Sequence, residues 1–121
     1  MTDTTHSALS QDPYVFNRAG ILMSSDLVRN ANPRLALQMR NITAGRSLNP
    51  QPEESSKHAE LFRIELDSFQ VREIVECLSA HAQTSNIDPG MSIVTKTLLE
   101  DWVSLAKKMI EELPESEKPN L

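Results

Sequence analysis

The sequence predicts a mainly α protein whose C-terminal half is an antiparallel helical hairpin, and three observations carry that expectation. Residues 68–83 and 91–113 both repeat apolar side chains at helical spacing. A turn holding Pro89 and Gly90 separates them. The first helix follows Asp67-Ser68-Phe69-Gln70, the pattern of a capping box, in which the Asp side chain takes free amides and the Gln reaches back.

In chain order, residues 1–13 are polar and rich in Thr and Ser, which suits a flexible tail. Residues 14–45 are expected to form an N-terminal arm, part helical and part extended. Tyr14-Val15-Phe16 and Ala19-Gly20-Ile21-Leu22-Met23 are short apolar patches, either anchors on another surface or first pieces of a core. Ser24-Ser25-Asp26 reads as a helix start, since short oxygen-bearing side chains cap backbone N–H groups. The helix it opens, about 25–31, ends near Asn32, because Pro33 disfavours helical geometry at the residue before it.

Asn32 and Pro33 open a second helix, about 33–44, with Asn as cap and Pro in the first turn. Leu35, Met39 and Ile42 share one of its faces, and Ala44-Gly45 is a stop at which Gly is free to turn left-handed. Residues 46–58, with two prolines and little apolar content, read as a linker. The hairpin domain is expected over 59–114, followed by a flexible tail at 115–121.

Within that domain, Phe62, Ile64 and Leu66 alternate with charged Arg63 and Glu65, which predicts a short half-buried strand over 61–66. A helical reading of Leu61, Phe62, Leu66 and Phe69 competes with it. Leu66 and Val71 stand where a hydrophobic staple would sit. Val71, Ile74, Val75, Leu78 and Ala82 then line one side of the first hairpin helix. On the second, an apolar half-circle from Val94 to Leu113 faces a polar half, with Thr95 the lone polar intruder. That face spans about 180°, whereas packing on one neighbour needs roughly 100°. A further surface is therefore expected on it, either the N-terminal half folded back or a second copy of the chain.

Composition narrows the class. The 121 residues suffice for one domain, and 39% are hydrophobic, below the roughly 45–50% of ordinary globular domains. Cys77 is alone, so no internal disulfide is expected and a reducing, cytoplasmic setting follows. The start lacks a basic and apolar signal, and no apolar run reaches membrane-spanning length. Residues 1–50 hold five Arg against three Asp, whereas residues 51–121 hold seven basic and fourteen acidic side chains. Such a split suits contact between the arm and an acidic helix face.

No constellation specifies a reaction. Cys77 and His81 stand at i and i+4, a spacing open to two metal ligands, but zinc needs three or four. As a nucleophile pair they lack an orienting third group and an oxyanion hole. The paired acids, such as Glu73 with Glu76 and Glu100 with Asp101, fall on polar helix faces. The three glycines are isolated, so no phosphate loop exists, and Asn41-Ile42-Thr43 matches a glycosylation sequon by chance.

The sequence therefore implies a non-enzymatic helical interaction protein without cofactor or metal, binding a protein partner or its own twin. Its expected interface is Leu98, Leu99, Trp102, Val103, Ala106, Met109 and Ile110, with Trp102 serving core, contact or both. The alternative is a small dimeric nucleic-acid-binding regulator of antitoxin or repressor type. It would present Arg29, Arg34, Arg40 and Arg46 to nucleic acid or another acidic partner, with Asn30, Asn32, Gln38 and Asn41 beside them.

Overall fold

The computed structural model of the chain describes residues 12–49, 60–83 and 89–113. The tail expected at 1–13 falls mostly outside these, as do most of the linker at 46–58 and the tail at 115–121. Among the described residues the architecture is mainly α, with four helices and a two-stranded antiparallel sheet. The chain divides into two compact units, 1–65 and 66–121.

The first unit opens on β1 (Val15–Asn17), which leads directly into α1 (Arg18–Val28). After a four-residue turn comes α2 (Pro33–Ala44), and β2 (Leu61–Arg63) closes the unit against β1. Phe16 pairs with Phe62 across the ladder and both are buried. The Ile64 amide extends the pairing by donating to Tyr14 O at 2.7 Å. Phe62 and Ile64 are buried while Arg63 and Glu65 are exposed. The period-two expectation over 61–66 thus holds for burial, although strand geometry covers only its first three residues.

The first helix differs from expectation. The sequence predicts it at about 25–31, opened by Ser24-Ser25-Asp26, but it runs over Arg18–Val28. Asn17 is the cap, and its Oδ1 accepts the Gly20 amide at 2.7 Å. Ser24 and Ser25 are fully buried inside the helix. Their hydroxyls donate back along it, to Gly20 O and Leu22 O at 2.7 Å each. A serine satisfied by the preceding turn does not need to cap a new one.

The second helix matches its expected bounds, with Asn32 Oδ1 accepting the Leu35 amide at 3.1 Å and Pro33 in the first turn. Its end is different. Gly45 is extended, at φ −80° and ψ −170°, not left-handed. The Gly45 amide closes the helix on Ile42 O at 3.3 Å, and the extended chain lets the Leu48 amide reach Leu61 O at 2.8 Å. Ile21, Val28, Leu35, Ala36 and Met39 join the two phenylalanines and Ile64 as the buried apolar side chains of this unit.

The second unit is the packed pair α3 (Ser68–Gln83) and α4 (Pro89–Glu111). The capping box forms in full: the Gln70 amide donates to Asp67 Oδ1 at 2.8 Å and the Asp67 amide donates to Gln70 Oε1 at 3.0 Å. Helix α4 starts two residues before the expected position because Pro89 occupies the first turn, where its missing N–H costs nothing. Val71, Ile74 and Leu78 are buried on α3, and Leu98, Trp102 and Leu105 on α4. Thr95, the polar intruder on the apolar face, is buried with them at 1% exposure. No helix among the described residues is long and apolar enough to cross a membrane.

Candidate functional site

Helix α4 carries the apolar surface that the sequence singled out, and its burial divides that surface in two. At about 100° per residue, Thr95, Leu98, Trp102 and Leu105 gather within roughly 80° of one another. All four are buried, and Trp102 is wholly inaccessible. Leu98 and Trp102, expected at an interface, are therefore interior residues of the single chain. A large aromatic ring finds most of its stabilisation by complete burial, so it goes where the core is deepest.

Leu99, Val103, Ala106 and Ile110 lie on the adjoining flank, roughly 40–100° round from Trp102. The first three are only partly buried, and Ile110 is 41% exposed. Met109 is partly buried, in line with the interior group. The sequence-derived interface thus reduces to a four-residue stripe between Leu99 and Ile110. Among the described residues of this unit, two other large apolar side chains stand out alone, Phe69 at 80% and Ile93 at 67% exposure.

The four nominated arginines are also divided. Arg40 is engaged within the first unit, its guanidinium donating to Asp26 Oδ1 at 2.8 Å and to Ser25 Oγ at 3.4 Å. This ties α1 to α2 and takes Arg40 out of any free cationic surface. Arg29, Arg34 and Arg46 are exposed and form no ion pair among the described residues. Arg34, Gln38 and Asn41 share one exposed face of α2, at i, i+4 and i+7.

Sequence reading missed what Arg18 does. Its backbone amide donates to Glu60 O at 2.8 Å and its guanidinium to Glu60 Oε1 at 3.2 Å. The same group lies 5.1 Å over the Phe62 ring, and its Nε is buried without a hydrogen-bond partner. Stacking on the ring covers the face of a weakly hydrated cation while one edge meets the carboxylate. Arg63 repeats the arrangement, 4.5 Å over Tyr14 and 3.4 Å from Asp12 Oδ2. No signal local to Arg18 points to a partner more than 40 residues away.

Cys77 and His81 are both partly buried on α3. Burial first, then the nearby carboxylates of Glu73 and Glu76, push the Cys77 thiol above its ordinary value. A nucleophilic cysteine needs the opposite shift. Among the described residues, no three His, Cys, Asp or Glu side chains come together in a way that would hold a metal ion. On α4, burial and then the neighbouring Glu100 raise the Asp101 carboxyl.

No protein-family model, curated protein or solved structure matches this chain.

Proposed function

We propose that this chain is a non-enzymatic helical interaction module, working as an adaptor, assembly factor, inhibitor or accessory subunit. The observation that carries this reading is the stripe Leu99, Val103, Ala106 and Ile110, left partly open beside the fully buried line of α4. An apolar strip bordered by charge is a common way for one helix to accept another. The test compares the intact chain with a Val103→Glu, Ile110→Glu double variant in affinity capture from the native cell, with helicity checked by circular dichroism. Loss of bound protein at retained helicity supports the reading. Equal recovery by both chains, or no recovery by either, defeats it.

A second reading draws on Arg29, Arg34 and Arg46, whose charge is not neutralised by a carboxylate among the described residues. With Gln38 and Asn41 they suit contact with nucleic acid, as in a small dimeric regulator. The chain's net charge of −5 weighs against it. Binding to duplex DNA that weakens steeply between low and moderate salt would favour this reading, and no binding at low salt would remove it.

A further inference from the structure

The open stripe of α4 is matched to its own inverted copy. We infer that its occupant is a second copy of this chain, packed α4 against α4 antiparallel about a two-fold axis, so that two hairpins form a four-helix bundle. This inference rests on the interaction reading above and names the partner.

The spacing Leu99, Val103, Ala106, Ile110 runs four, three, four, the d-a-d-a positions of a heptad repeat. That order of spacings is the same in both directions. An inverted copy therefore meets the stripe in register, Leu99 opposite Ile110 of its twin and Val103 opposite Ala106. The two central layers then pair a small with a medium side chain, which lets the helix axes approach closely there.

Charge selects the direction. In the same heptad frame Glu100 and Lys107 occupy the two e positions beside the stripe. Antiparallel helices bring e against e, so Glu100 of each chain faces Lys107 of the other, twice by symmetry. A parallel pair would bring e against g, and the g positions are Trp102 and Met109, which carry no charge. Both Glu100 and Lys107 are exposed, and neither forms an ion pair among the described residues. Geometry agrees: the buried line of α4 and the stripe are centred roughly 90° apart, as a helix at one corner of a four-helix bundle requires.

The test uses the intact chain in sedimentation equilibrium at low ionic strength, across micromolar concentrations. The wild-type chain is expected to be dimeric. Glu100→Lys and Lys107→Glu should each weaken self-association about tenfold, because each turns two attractive pairs into repulsive ones. An equimolar mixture of the two variants should recover wild-type affinity, since every lysine of one chain then faces a glutamate of the other. That recovery is a readout that a folding defect would not give.

A wild-type chain that stays monomeric throughout overturns the inference. So does a dimer indifferent to both charge reversals, or a mixture that fails to recover. A monomeric chain whose stripe captures a different protein would leave the interaction reading standing and remove only the twin.

Discussion

Among the described residues, the ion pairs of the first unit join distant parts of the chain, whereas those of the second span a single helical turn. Arg18 with Glu60, Arg40 with Asp26 and Arg63 with Asp12 each close a long loop. Arg72 with Glu76 on α3, and Lys108 with Glu112 at the end of α4, are solvent-accessible i, i+4 neighbours. The first unit also owes its register to a ladder of backbone bonds between β1 and β2. The second unit has helices, one capping box and buried apolar side chains. Both units bury periodic apolar side chains, and the first adds long-range polar contacts to that burial.

The largest expected effect strikes the second unit at its deepest residue. Trp102→Ala should cost about 3–5 kcal/mol, read as a lowered midpoint in urea unfolding followed by far-UV circular dichroism. A loss below about 1 kcal/mol would mean that Trp102 does not anchor the pair in solution.

The two kinds of ion pair should differ in what their loss costs. Arg18→Met should destabilise by about 1–2 kcal/mol, because Glu60 is left largely enclosed without its partner and Phe62 loses its cover. Arg72→Ala should stay within about 0.5 kcal/mol, since both members of that pair are well exposed. Equal costs in thermal melts would erase the distinction drawn between the units.

Gly45→Ala sharpens the account of how α2 ends. Its φ is open to any residue, and an added Cβ would meet Ile42 O at an ordinary 3.5 Å. The substitution should therefore stabilise by about 0.4–1 kcal/mol, by narrowing the unfolded ensemble. Destabilisation would favour the left-handed ending that the sequence suggested.

The smallest effect concerns Asp101. Its folded carboxyl is raised above the ordinary 3.8, so the folded state holds the proton over a window where the unfolded chain has released it. Ionisation therefore costs stability as pH rises through that window. Asp101→Asn should be slightly more stable than the wild type near neutral pH, with the gain vanishing below the ordinary carboxylate range. Paired melts across pH would check this, and a gain that grew toward acid pH would reverse the sign.

Much of the second unit was legible because its signals are local. Asp67 and Gln70 are three residues apart, and Val71, Ile74 and Leu78 lie on one face whatever else the chain does. The first unit was harder to read. Val15 and Phe16 have the side chains of a strand, but three residues give too short a pattern to separate strand from anchor. Ser24 and Ser25 resemble a cap until burial shows them bonded to the turn behind. Arg40 resembles a free cation until α1 brings Asp26 to it.

The mainly α class, the hairpin with its capping box, the second N-terminal helix and the half-circle of apolar side chains on α4 all follow from the order of residues. These depend on periodicity and on neighbours within a turn, which the chain carries in its order. Three-dimensional packing is what makes Leu98 and Trp102 interior while Leu99, Val103, Ala106 and Ile110 stay partly open. It also decides that Arg18 belongs to Glu60 and Phe62. A helical wheel gives the direction of each side chain, but how much of an apolar face is covered depends on what packs there, and that is a property of distant residues.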